Sequence, residues 1–187
     1  MGNRGLLHNE KHQIVRQFKG QRWIACCLEF RGRKRSVMSP GRYTELFFLD
    51  EAVAFAAGHR PCAECRRERF TAFLEAWKHR GEPHYNTPAS ALQIDAELHR
   101  SRIDSAGRKV TYQAEVNSLP NGCFVQIDGS AFLIRHDGLL LWTPERYERK
   151  ERRPTGLTVT VLTPEPIVQC FAQGYEPEVH ITGQALL

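Results

Sequence analysis

The sequence predicts an α+β protein in which an N-terminal β-hairpin and helices are followed by a further helix and an antiparallel β-meander. Helix-spaced apolar residues concentrate between residues 50 and 105, whereas short β-rich runs with Asp-Gly turns follow residue 109. The chain has 187 residues, 41% hydrophobic and 25% charged, which is typical of one globular domain. We expect a single domain over 1–187; a division into a hairpin-plus-helices half, 1–106, and an antiparallel β half, 107–187, stays open.

A hairpin is expected near the N-terminus. Residues 22–30 alternate as in a β-strand, which places Cys26 and Cys27 on opposite faces. The glycine-containing turn Arg31-Gly32-Arg33 then leads into a second extended run that ends at Ser39-Pro40-Gly41. The tip of this hairpin would display arginines.

Two helices should follow. Asp50 is suited to cap the N-terminus of a short helix, and Gly58 is suited to end it. A second helix is expected to begin between Pro61 and Ala63 and to reach about Arg80, because apolar residues recur there at helical spacing. These apolar residues are Phe70, Phe73, Leu74 and Trp77.

A third helix and the meander complete the chain. Thr87 before Pro88 predicts the start of a helix that extends to about Ser105. Beyond it, the runs VTYQAEV, CFVQI, SAFLIR, LLLW and LTVTVL are typical of strands, and Asp128-Gly129 and Asp137-Gly138 are typical of tight hairpin turns.

The N-terminal segment carries most of the excess positive charge. Residues 1–42 contain ten Lys or Arg and two acidic residues, whereas residues 154–187 contain three acidic residues and no Lys or Arg. The residues Arg31, Arg33, Lys34 and Arg35 are candidates for contacting the phosphates of DNA or RNA. A solvated basic hairpin without a ligand is the alternative. A second basic cluster at 146–153 alternates with glutamates, so its charge can be neutralised locally.

The six cysteines are expected to be reduced thiols or metal ligands in a cytoplasmic protein. No apolar run is long enough to span a membrane, and the first residues lack the apolar core of a secretory signal. Cys123 and Cys170 lie in strand-like apolar runs, which favours core packing for both.

Cys62 and Cys65 form a C-x-x-C pair, which can grip one tetrahedral metal ion from a single turn or serve as a redox pair. A zinc site needs further donors, and Cys26 and Cys27 are the nearest cysteines upstream. Because adjacent cysteines should point in opposite directions, one of them together with a histidine is easier to build into a site than both.

The stretch FFLDEAVAFAAGHRPCAECRRERF, about residues 47–70, resembles the second half of the zinc-binding module of the Ada DNA-repair family. The resemblance is carried by Phe47, Ala52, Gly58, Arg60, Pro61, Cys62 and Cys65. It implies a zinc knuckle; in that family a Cys-x-x-x-Cys pair completes the site, and one of its cysteines accepts a methyl group from DNA. This chain has Cys26-Cys27 instead, farther upstream. The whole chain, especially PGRYTELFFLDEAVAFAAGHRPCAECRR and the later LLLWTPERY, also resembles an uncharacterised bacterial protein family, and this resemblance implies a fold more than a function.

Two enzyme hypotheses remain beside these. His8 and Glu10 formally complete a zinc-deaminase signature with Cys62 and Cys65. Asp95 and His99, spaced i, i+4, would share one helical face, where they could hold a metal ion or perform acid–base catalysis. The leading expectation is therefore a zinc-stabilised, nucleic-acid-binding protein; the alternatives are a metal-dependent enzyme for alkyl transfer, hydrolysis or deamination, and a metal-free interaction protein.

Overall fold

A computed structural model describes residues 1–32, 36–80 and 90–187. Its helices and sheets make the protein α+β, as predicted, with an antiparallel meander in the C-terminal half. None of the helices in the described ranges combines the length and apolarity needed to cross a membrane.

Four two-residue strands form the N-terminal sheet, in the spatial order β3-β1-β2-β4. They are β1 (Gly2–Asn3), β2 (Ile24–Ala25), β3 (Glu45–Leu46) and β4 (Arg60–Pro61). Strand β1 pairs antiparallel with β2 and β3, whereas β4 pairs parallel with β2. Both edges of β2 are therefore occupied.

The expected hairpin is not formed in the described residues. Residues 26–32 and 36–42 contain turns and irregular backbone but no strand. The physical reason is that β1 and β4 already pair with β2, so the residues after the turn have no free edge to join. Three residues of the expected tip, Arg33, Lys34 and Arg35, lie outside the described residues.

The first predicted helix is confirmed as α1 (Glu51–Ala56). Asp50 caps it, since its Oδ1 accepts a hydrogen bond of 2.8 Å from the Val53 N–H. Gly58 follows with φ of +79°, and a Cβ there would lie 2.7 Å from Cδ of Arg102. The chain turns at this glycine after the helix ends at Ala56, and a larger residue there would be strained and would collide with a buried arginine.

The second and third helices begin later than predicted. Helix α2 is Arg67–His79, because Pro61 is held in β4 and residues 62–66 form a turn in front of the helix. Helix α3 is Ala91–Arg102, capped by Ser90 and Gln93 in a capping box. Thr87 and Pro88, the predicted start of α3, lie outside the described residues.

Six antiparallel strands form the second sheet, in the order β5-β10-β6-β7-β8-β9. They are β5 (Tyr112–Glu115), β6 (Phe124–Ile127), β7 (Ser130–Arg135), β8 (Gly138–Trp142), β9 (Tyr147–Arg152) and β10 (Thr158–Val161); a 3-10 turn, Val116–Ser118, follows β5. Strands β6 to β9 are the meander, and β10 returns between β5 and β6.

Several details of this half differ from the prediction. The Asp128-Gly129 turn is confirmed, with positive φ at both residues, but the next hairpin turns at residues 136–137 and Gly138 already belongs to β8. The sequence predicts only a basic cluster at 146–153, whereas Tyr147–Arg152 form the strand β9. Cys170 lies in a helix, α4 (Glu165–Ala172), and not in a strand; a last helix is α5 (Ile181–Gln184).

The strand alternation buries both faces of this sheet. In β7 and β8, Ile134 and Leu139 join a large core with α1 to α4, whereas Leu133 and Leu140 point to a smaller cluster on the other face. The larger core combines side chains from both halves of the chain, including Phe73 of α2. The N-terminal sheet is consequently anchored to the C-terminal half through the helices.

A buried ion pair joins β4 to α3. The Arg60 Nε and Nη2 atoms donate to the two carboxylate oxygens of Asp95 at 2.9 and 2.7 Å, and both side chains are almost fully buried. The Arg60 guanidinium also lies 5.0 Å from the centre of the Phe70 ring. This pair positions the backbone that leads directly into Cys62.

We expect Asp95→Asn to lower the free energy of unfolding by about 3–5 kcal/mol, because it leaves the Arg60 charge buried without a counter-charge. Urea unfolding followed by circular dichroism measures the change. The matched control is Glu75→Gln, which removes one charge from an exposed pair with Lys78 and should leave stability unchanged. Equal, small effects of both substitutions would contradict the structural role of the buried pair.

Candidate metal centre

Three cysteine sulfurs meet beside the N-terminal sheet. The Sγ atoms of Cys26, Cys62 and Cys65 all lie within 4.8 Å of one another. Among the described residues this is the group of His, Cys, Asp and Glu side chains that can hold a metal ion. All six cysteines of the chain are free thiols.

The parallel pairing of β2 with β4 explains why two of these cysteines face each other. Ala25 is in register with Pro61, and the Cys62 N–H donates a hydrogen bond of 2.9 Å to the Ala25 carbonyl. Cys26 and Cys62 are the next residues along the two strands, so the register sets them side by side. Cys65 comes from the turn before α2.

Cys27 supports this group without being a member of it. Its N–H donates to Cys65 Sγ at 3.3 Å, and its own Sγ donates to the Cys65 carbonyl at 3.1 Å. The backbone N–H of Cys27 thereby stabilises negative charge on Cys65, as second-layer hydrogen bonds do for metal-bound thiolates.

The three sulfurs do not ionise equally. The Cys26 thiol donates to Cys62, which lowers the pKa of Cys62; backbone N–H groups of residues 64 and 65 act in the same direction. That hydrogen bond and burial raise the pKa of Cys26, and burial raises the pKa of Cys65. Without a metal, the negative charge of the group is therefore concentrated on Cys62, and a cation would displace the remaining protons.

The sulfurs border open space on two sides. A cavity of about 130 Å³ contacts all three cysteines, and a cleft of about 790 Å³ contacts Cys26 and Cys65. The cleft also contacts Asp50 and the first turn of α1, the start of α2, and the segment 178–180. An ion held by the cysteines would thus lie at the wall of a cleft large enough for a small molecule.

A buried carboxylate, that of Glu51, lies at this cleft and binds groups from several parts of the chain. Glu51, whose side chain is 1% exposed, is 3.2 Å from Arg66 Nη2 and accepts a hydrogen bond of 3.1 Å from Arg69 Nε. Its carboxylate also accepts from Tyr175 Oη and from the Glu178 N–H, both at 3.0 Å. No local pattern in the sequence marks Glu51 as part of a site, because two of its partners lie 124 and 127 positions away along the chain.

The residues of the two enzyme hypotheses are engaged elsewhere. His8 is buried with its Nδ1 2.7 Å from Thr44 Oγ1, and Glu10 is exposed; neither belongs to the cysteine group. Asp95 is bound to Arg60, and His99 lies 3.3 Å from Arg102. Neither arrangement assembles the acid–base pair that those hypotheses require.

Arg31 of the expected hairpin and the histidine nearest the C-x-x-C pair, His59, are both outside the cysteine group. Arg31 is exposed, with its guanidinium 5.0 Å from the Phe30 ring. His59 is completely buried; burial and the neighbouring cations Arg4 and Arg102 hold the pKa of its imidazole well below the usual range. A neutral His59 accepts a hydrogen bond from Arg4 and is outside the metal group.

No protein-family model, curated protein or solved structure matches the chain significantly. The geometry and chemistry of the site therefore carry the functional argument.

Proposed function

We propose that the protein binds one zinc ion through Cys26, Cys62 and Cys65 and that this ion stabilises the N-terminal sheet. The observation that carries the proposal is the convergence of three sulfurs within 4.8 Å. Zinc–sulfur bonds of about 2.3 Å in a tetrahedron place sulfurs roughly 3.8 Å apart, so only a small contraction is needed. A redox pair would need only two of these thiols. Three reduced thiols also fit the proposed cytoplasmic location.

The resemblance to the Ada zinc module supports the same proposal on independent grounds. Cys62 and Cys65, which carry that resemblance, are two of the three cysteines in the group. The third comes from the Cys26-Cys27 pair. The proposed role is to tie β2 to the turn before α2, two elements that contribute few residues to the apolar cores.

Replacement of Cys26, Cys62 or Cys65 by Ser should reduce the bound zinc from one ion per chain to about one-tenth or less, because each change removes a thiolate ligand. Elemental mass spectrometry of protein purified without an affinity tag measures the content. Cys27→Ser is the matched control and should retain its zinc. Loss in Cys27→Ser with retention in Cys26→Ser would contradict the assignment.

A metal-dependent enzyme is a second candidate function, because the proposed ion borders the 790 Å³ cleft. Three protein ligands with a fourth position open to water or substrate are the arrangement of catalytic zinc sites, whereas four protein ligands are typical of structural sites. The described residues bring three donors together.

We expect azide to shift the visible absorption bands of the Co²⁺-substituted protein, because the fourth position accepts an external ligand. The Cys27→Ser variant should respond in the same way. A spectrum that azide leaves unchanged would indicate a fourth protein donor and a purely structural site.

We further propose that the basic N-terminal surface contacts the phosphates of DNA or RNA. Six basic residues of this segment are exposed, and none of them takes part in an ion pair among the described residues. They are Lys11, Arg16, Lys19, Arg22, Arg31 and Arg42. By contrast, two of the three basic residues of β9 are paired, Arg149 with Glu151 at 2.8 Å and Lys150 with Asp137 at 2.9 Å. Unpaired surface cations retain their charge for phosphates.

The triple variant Arg16→Gln, Lys19→Gln, Arg22→Gln should bind a fluorescein-labelled 20-base-pair duplex more weakly, and its salt slope should fall by about two to three, because each lost phosphate contact removes about one counterion. Fluorescence anisotropy at several salt concentrations measures both quantities, and a single-stranded RNA serves as the second probe.

The matched control removes three charges from β9 and its approach: Arg146→Gln, Arg149→Gln and Lys150→Gln, each paired with an acid in the structure. This control should leave the slope near that of the parent. Equal slopes in all three proteins would show that the N-terminal cations do not contact nucleic acid.

A further inference from the structure

A second cavity, of about 310 Å³, lies beside the C-terminal end of α1 and is separate from the cysteines. Its volume is at the lower end of the range for small-molecule sites. Aromatic and aliphatic side chains form most of its wall, namely those of Trp23, Phe124, Trp142 and Leu162, together with Ala56 and Ala131. Such a wall favours a compact apolar ligand, or the apolar part of a larger one.

Three cations also line this cavity, whereas none of its described lining residues is acidic. Arg4 and Arg102 both stack on the Trp23 ring, with guanidinium carbons 4.0 and 3.9 Å from its centre. Lys109 is the third cation. Burial lowers the pKa of Arg4 to about 10; burial, opposed by the attraction of Asp95 and assisted by repulsion from Arg4 and Arg60, lowers the pKa of Arg102 to about 9. The described residues that line the cavity therefore carry more positive than negative charge.

Helix carbonyls account for part of this arrangement. Arg4 donates to the Ala57 carbonyl at 2.9 Å, Arg102 to Gly58 at 2.7 Å, and Lys109 to Ala56 at 2.6 Å. Cations are favourable at the C-terminal end of a helix, but α1 is short and its carbonyls are neutral, so full positive charges remain.

Two residues that line the cavity also carry buried donors. The Arg102 Nε and Trp142 Nε1 atoms are buried and have no hydrogen-bond partner among the described residues. Arg102 itself is 1% exposed. Buried N–H groups are normally satisfied, so these two donors mark residues of the cavity wall whose hydrogen bonding within the chain is incomplete.

We propose that this cavity binds a small organic anion whose aromatic body packs on Trp142 and Phe124 while its carboxylate or sulfonate group meets Arg4, Arg102 and Lys109. The apolar wall supplies contact area, and the cations supply orientation and selectivity for the negative charge. This site is independent of the proposed zinc ion, since none of the residues that line it belongs to the cysteine group.

The test compares two fluorescent probes of similar shape, the aromatic sulfonate 1-anilinonaphthalene-8-sulfonate and the neutral N-phenyl-1-naphthylamine. The folded parent should bind the sulfonate more tightly than the neutral probe. Lys109→Gln should weaken sulfonate binding about fivefold or more and leave the neutral probe unchanged, because it removes one charge-assisted contact. Lys78→Gln, which removes the same charge from an exposed site, is the matched control.

A second variant tests the location without changing charge. Ala131→Phe places a larger side chain in the cavity and should abolish binding of both probes, provided that its urea unfolding curve matches the parent's. Sulfonate binding that survives Ala131→Phe, equal affinity of the parent for the two probes, or an unchanged affinity in Lys109→Gln would overturn the proposal.

Discussion

The structure depends on hydrogen-bond partners for the backbone N–H and C=O groups at both ends of one short helix, α1. A six-residue helix is unstable alone, and its terminal N–H and C=O groups need partners when they are buried. At its N-terminal end, Asp50 caps the backbone and Glu51 binds two arginines of the turn and helix that follow. At its C-terminal end, three cations from distant parts of the chain bind the last carbonyls. The N-terminal sheet, α2, α3 and the C-terminal segment are thus arranged around this helix.

The two candidate sites lie at opposite ends of α1 and differ in chemistry for this reason. The cleft beside the cysteines contacts the first turn, where buried acidic and basic groups balance each other. The apolar cavity contacts the last turn, where the cations bond to neutral carbonyls and imidazoles. A soft cation at thiolates and an organic anion at arginines are the ligands that these two environments respectively favour.

Local signals in the sequence predicted much of this fold, and long-range pairing supplied the rest. Asp50 and Gly58 bracket α1 because capping depends on adjacent residues, and C-x-x-C spacing similarly marked Cys62 and Cys65. The selection of Cys26 depends on a parallel strand pairing across 36 positions, from Ala25 to Pro61. Because this pairing holds Pro61 in β4, α2 begins at Arg67, later along the chain than the sequence predicts. No periodicity or spacing marks the cavity, because its cations come from two distant regions of the chain, residue 4 and residues 102–109.

The strand register that sets Cys26 against Cys62 also determines which part of the chain can change its length. Cys26 is placed next to β4 by the backbone pairing of β2, and this pairing does not depend on the number of residues in the connection between β2 and β3. Doubling the length of such a connection costs only about 0.6 kcal/mol of closure entropy. Insertions there would alter the linear distance between the first and second ligands while preserving their separation in space. Ligand spacing along the chain is consequently a poor guide for detecting homologous sites, and the strand pairing is the feature to compare.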